Sequence, residues 1–301
     1  MKPNQSTLKV LSIASALAFL AVLVVNALAN ALPLNGVTTG QLSDEIPNLF
    51  VPAGLTFSIW GVIYLLLAGY VLYAIREAWR KNGDGGGWTA RDAVLFLLNA
   101  AANIGWIFAW QWRHVALSMA LMLVILGTLI ALELSIEQKM KKGGALSLAE
   151  PLSPGEPSAQ PRPQRSSRAR HLRRFFLSVP IRVYLGWISV ATIANATALL
   201  VKLGWNGWGL DPRAWTVIVI AAGLAVALGF SVGQRQIAAP LVVVWAYAGI
   251  VIKRTQVDAA YSRAVWIAAL VSAVIILLSF VVVRIVRPGT AGSGKAAAGQ
   301  S

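Results

Sequence analysis

The side chains with the most chemical potential in this sequence are amides, phenols and indoles set inside long apolar runs. Phe57, Trp60 and Tyr64 fall at relative positions 0, 3 and 7 of one run. Asn99, Asn103, Trp106 and Trp110 fall at 0, 4, 7 and 11 of a second, and Tyr184, Trp187, Ala191 and Asn195 at 0, 3, 7 and 11 of a third. On a helix each spacing defines one face. Each face therefore offers flat rings and a few hydrogen-bonding groups, the ordinary make-up of a small-molecule pocket. An amide in hydrocarbon costs free energy unless partnered, so Asn beside Trp inside a membrane run marks a site by default. Interhelical glue, worth roughly 0.6–2 kcal/mol per amide, explains any one of these Asn taken singly. The coincidence of three such faces favours one shared pocket of Trp60, Tyr64, Asn99, Asn103, Trp106, Tyr184, Trp187, Ala191 and Asn195.

No acid–base or nucleophilic constellation is legible. The chain lacks cysteine, which excludes disulfides, thiolate metal sites and a cysteine nucleophile, and His114 and His171 are its two histidines. No metal site and no obligatory cofactor are expected, and the chain does not read as an enzyme. Glu133 is the carboxylate nearest an apolar zone, with no His or Cys beside it in sequence. Asp44 and Glu45, between the first two apolar runs, read as solvated loop charge ahead of a lid or a cation contact.

The elements that must position these side chains are membrane helices. The chain is 57% hydrophobic and 12% charged, against about a quarter charged in a soluble domain. Apolar runs long enough to span a bilayer cover about 8–32, 52–75, 93–112, 115–134, 176–201, 215–232, 237–252 and 265–286. The seventh is short and contains Pro240, so an interruption is expected there. Trp112, Trp205, Trp208 and Trp215 lie near span ends, where an interfacial belt accounts for them.

The net charge of +15 is explained by topology rather than by nucleic acid, which is not an expected partner. Twenty of the basic residues fall in segments on one side of the eight spans. Six fall on the other: Arg113, Lys202, Arg213, Lys253, Arg254 and Arg263. That asymmetry predicts both termini in the cytoplasm. Lys2, Lys9 and Ala27-Leu28-Ala29 also resemble a cleavable secretory signal, but the long run and its Asn26 and Asn30 favour a retained helix. Residues 138–174, with five prolines and few large apolar side chains, read as a disordered linker, and the residues after 287 as a disordered tail. The basic end of that linker, RSSRARHLRR, suits anionic membrane lipid.

With the stripes laid out, residues 8–201 resemble the tryptophan-rich sensory protein family (TspO/MBR, related to the translocator protein or peripheral benzodiazepine receptor). Pro52 ahead of Trp60-Gly61 and Tyr64 is similar to its P…WGxxY, and Asn103 with Trp106 to its NxxW. Tyr184-Leu185-x-Trp187-x-x-x-Ala191-Thr192-x-x-Asn195 is similar to its YLxWxxxATxxN. The resemblance implies an all-α polytopic membrane bundle with a five-helix core over 1–201 and a pocket opening under the first loop; the three further spans, over 202–287, depart from it and make an extension. It implies a tetrapyrrole, porphyrin or haem, as ligand, at the residues of the three stripes. The family's terminal sterol motif is missing from the fifth span, and VLYAIR at Val71–Arg76 fits that loose pattern elsewhere.

The leading expectation is therefore a sensory receptor or carrier for a planar apolar molecule in a prokaryotic cytoplasmic membrane. Its partners are lipid and the ligand, and a homodimer is left open. The alternatives are a secondary transporter, suggested by the interrupted seventh span, and an intramembrane enzyme that degrades a porphyrin.

Overall fold

The computed structural model describes residues 5–80, 87–148 and 165–286, and among them every regular element is helical. The elements are α1 (Gln5–Ala31), short α2 (Thr39–Glu45), α3 (Ile59–Ala78), α4 (Ala90–Gln111), α5 (Val115–Leu148), α6 (Arg165–Lys202), α7 (Pro212–Leu228), α8 (Ala238–Val257) and α9 (Arg263–Val286). Eight helical segments, all of these except α2, are long and apolar enough to cross a membrane. They coincide with the eight expected spans, and the chain is an integral multi-pass membrane protein.

Five helices close into a ring, each touching the next in the order α1, α3, α6, α5, α4 and back to α1. Hydrocarbon supplies no hydrophobic drive between helices, so small side chains and hydrogen bonds must hold such a ring. Ala74, Ala93 and Ala102 are buried in it. At one end of α4, Thr89 and Asp92 form a reciprocal capping box. The same Asp92 accepts from Ser135 at 2.8 Å and pairs with Lys139, fastening α4 to α5.

The last three spans form a second layer. Helix α8 packs on α6 and on the 3-10 turn Gly54–Ser58 that leads into α3; α9 packs on α8, and α7 on α9. The α6–α8 seam is tight because Gly186 has no side chain: a Cβ there would lie 2.6 Å from the Ala239 carbonyl oxygen. Trp245 of α8 donates Nε1–H to the Thr56 carbonyl at 2.9 Å, and the Ala53 amide donates to Gly249 O at 3.0 Å.

Two expectations change. Helix α5 runs on to Leu148 and α6 starts at Arg165, so most of the expected 138–174 linker on either side of 149–164 is helical. The expected disorder of 149–164, and of the tail after 287, lies outside the described residues. Pro240 does not interrupt its span, because it lies in the first turn of α8, where a missing N–H has no intrahelical partner to lose. The irregularity lies just before it. After α7 come a π-helical turn, Gly229–Gly233, and Arg235 at φ 53°.

Candidate ligand site

The centre of the ring is bridged by an amide relay. Asn26 of α1 donates to Asn103 Oδ1 at 2.9 Å, and Asn103 Nδ2 donates to the Tyr184 hydroxyl at 2.9 Å. Both polar atoms of the Asn103 amide are thus engaged. The relay joins α1 and α4 to α6, which is not their neighbour in the ring, and so crosses the interior. Asn26, which with Asn30 favours a retained first helix, is the third member of this relay.

On one side of this relay lies a cluster of rings from α3 and α6. Trp60 stacks on Tyr64 (centroids 5.5 Å apart, 22° between planes) and meets Tyr184 and Trp187 edge-on at 5.8 and 6.2 Å. Phe57 meets Trp187 edge-on at 5.8 Å. Such contacts add roughly 0.5–1.5 kcal/mol per pair beyond burial, so the cluster holds α3 against α6 as well as shaping a surface. On α4, Trp106 stacks on Trp110 at 6.0 Å, and Trp110 Nε1 donates to the Thr39 carbonyl of α2.

Four hydrogen-bonding groups of these residues are buried with no partner: Tyr64 Oη, Trp106 Nε1, Trp187 Nε1 and Asn195 Nδ2. All four carry protons to donate. Leaving a buried donor unmade costs about 1–3 kcal/mol, and each such group in a native protein calls for an explanation. Asn195 uses its other amide atom, accepting from Ser118 Oγ at 3.2 Å.

The remaining residues of the three stripes are less central. Asn99 turns to α5, donating to Ile125 O at 3.2 Å and Thr128 Oγ1 at 2.9 Å, and so acts as glue between two helices. Ala191 is half-buried between Trp187 and Asn195 on the α6 face. Trp205, Trp208 and Trp215 pack edge-on against one another at 4.7–5.6 Å beyond the end of α6, in keeping with an interfacial belt.

The segment carrying α2 is pinned over this end of the ring. Asn35 donates to Gln111 O, Asn48 to Thr197 Oγ1, and Gln111 to Ala29 O. Asp44 and Glu45 keep about half of each side chain exposed, as solvated loop charge does, and each also meets a cation. Glu45 meets Arg113 through three contacts of 3.0–3.2 Å, and Asp44 pairs with Lys253 of α8. Beneath α2 opens a cavity of about 300 Å³, walled by Leu42, Glu45, Trp110, Arg113, Val115 and Lys202, among others. None of the nine candidate residues of the three stripes lines it; Trp106 adjoins it through Trp110, and Asn195 lies two turns below Lys202 on the same helix face. At the start of α7, Asp211 is the cap, and its hydrogen bonds from the Arg213 side chain hold its carboxyl down at about 2.

A family model described as TSPO-like protein matches residues 12–282. The motif resemblance ended near residue 201, whereas this match takes in α7, α8 and most of α9. No curated protein and no solved structure matches the chain.

Proposed function

The chain belongs to the family of TSPO-like proteins, and from that membership we propose that it is a membrane receptor or carrier for a planar apolar molecule, a tetrapyrrole such as a porphyrin or haem, rather than an enzyme. The observation that carries this reading is the set of four unpartnered donors, three of them on rings of the aromatic stripes: Tyr64 Oη, Trp106 Nε1, Trp187 Nε1 and Asn195 Nδ2. Rings bind the face of a flat molecule. Donors without acceptors bind an edge bearing carboxylate or carbonyl oxygens. The ligand enters under α2, beside Lys202, whose charge suits the same anionic edge. The transporter alternative drew on eight spans and an interrupted seventh; the eight spans are present, whereas Pro240 lies in the first turn of α8 and does not interrupt it.

Titration of the purified protein with a dicarboxylate porphyrin or haem should quench tryptophan fluorescence saturably. A planar aromatic hydrocarbon without oxygens should bind at least about tenfold more weakly, a difference of 1.4 kcal/mol. Equal affinity for the two would remove the donors from the explanation. Flux into proteoliposomes then separates carrier from receptor.

We place the protein in a prokaryotic cytoplasmic membrane with both termini inside, a reading supported by the basic asymmetry and by the even number of spans. Reporter fusions after residues 40, 85, 160, 208 and 295 should read outside, inside, inside, outside and inside. An external reading at 295 would overturn the assignment of the last three spans.

A further inference from the structure

Away from the ligand site, α5, α6 and the approach to α8 meet at a buried carboxylate. Glu133 of α5 is 2% exposed and Gln236, two residues before α8, is 2% exposed. Glu133 Oε1 accepts from Arg182 Nε at 2.7 Å and from Gln236 Nε2 at 3.0 Å. Its second oxygen, Oε2, has no partner, and neither has Gln236 Oε1. The two groups thus share one hydrogen bond, and each carries one further buried acceptor with no donor. A carboxylic acid and a primary amide pair through two hydrogen bonds: amide N–H to acid carbonyl, and acid O–H to amide carbonyl. Half of that pair is present here, and the unpaired oxygens are those of the other half.

The chain goes to some length to bring Gln236 there. The π-helical turn Gly229–Gly233 and the left-handed Arg235 immediately precede it. A non-glycine residue in that conformation is strained and persists where the surroundings demand it. Arg235 itself lines a separate groove against α9, while Gln236 is buried beside Glu133 and also donates to Gln234 Oε1. The charged groups facing Glu133 are Arg182 and Glu137, one turn further along α5; the α8 side presents the amides of Gln234 and Gln236. Arg182 has Glu137 as a second carboxylate at 3.7 Å. Neutralising Glu133 therefore does not strand the guanidinium. Glu137 is also partly exposed, which gives the site a polar route towards the aqueous phase at that end of the bundle.

We infer that Glu133 and Gln236 form an intramembrane proton-binding site. A proton adds to Glu133 Oε2, and the resulting O–H donates to Gln236 Oε1; no other covalent bond forms or breaks. The site depends on no property of the ligand pocket. It gives the α5–α6–α8 junction two charge states, an ion pair with Arg182 or a neutral acid–amide pair.

Infrared difference spectra of the full chain in lipid nanodiscs, taken between high and low pH, test this. A carboxylic-acid carbonyl band should appear on acidification, shift in deuterium oxide, and be missing from Glu133→Gln. That variant retains an amide able to pair with Gln236, so it should fold. Gln236→Ala keeps Glu133 and should move the same band to higher frequency, because the acid loses its hydrogen-bond partner. A band that survives in Glu133→Gln, or is unmoved in Gln236→Ala, or no acid band at any pH where the protein stays helical, overturns the inference.

Discussion

Gly186→Ala is expected to lower the stability of the folded protein by up to about 2 kcal/mol: overpacking a filled interior costs about 1–3 kcal/mol, and the gain in helix propensity, about 1 kcal/mol for Gly→Ala, offsets part of it. The added Cβ would sit 2.6 Å from Ala239 O and 2.8 Å from its Cα. Those are backbone atoms of α8, unable to swing aside as a side-chain tip does, so the two helices must part. Parting them strains the other bonds between ring and second layer: Gln236 to Glu133, Trp245 to Thr56, and Ala53 to Gly249. Gly186→Leu should therefore release α7–α9 from the ring altogether. Melting in detergent and limited proteolysis of the α6–α7 connection measure the two effects. Gly61→Ala and Gly127→Ala, where a Cβ meets nothing within 4 Å, are the controls and should be neutral or mildly stabilising. A Gly186→Ala melt as high as theirs would show that the seam is not tight.

The position of that seam explains what a sequence can and cannot disclose here. The spans were legible because each is a continuous apolar run, and hydrocarbon thickness sets its length. The stripes were legible because helical spacing is fixed, and Trp60, Tyr64, Asn103, Tyr184 and Trp187 do come together. Asn99 shows the limit. Four residues turn a helix by about 400°, so Asn99 and Asn103 differ by about 40°. Since α4 lies between α1 and α5 in the ring, that rotation aims Asn103 at the interior and Asn99 at α5. Asp44 and Glu45 found cations far along the chain, Lys253 and Arg113, and no local pattern announces a partner at such separation. Gly186 was merely the unspecified residue inside YLxW. Its meaning depends on what passes within 3 Å of it, which only the packed bundle defines.

Tyr64→Phe should raise the stability of the ligand-free protein while weakening its ligand. Tyr64 Oη is buried without a partner, so removing it relieves a desolvation cost of about 1–3 kcal/mol and leaves the stacked ring on Trp60 in place. If the hydroxyl is kept because a ligand acceptor satisfies it, the same substitution should reduce porphyrin affinity by about 1–1.5 kcal/mol, roughly tenfold. Tyr184→Phe is the matched comparison. Its hydroxyl already accepts from Asn103, and losing it strands an amide donor, so the ligand-free protein should become less stable. Trp187→Ala removes both a ring and an orphan donor and should cost the ligand about 1–3 kcal/mol. Asn99→Ala should cost stability and leave affinity unchanged, since both contacts of that amide lie within the bundle. Opposite signs for Tyr64→Phe, measured as melting temperature without ligand and affinity by fluorescence, are what a binding site predicts. A mere packing defect predicts gain in the first with no change in the second, and that result would move the ligand away from Tyr64.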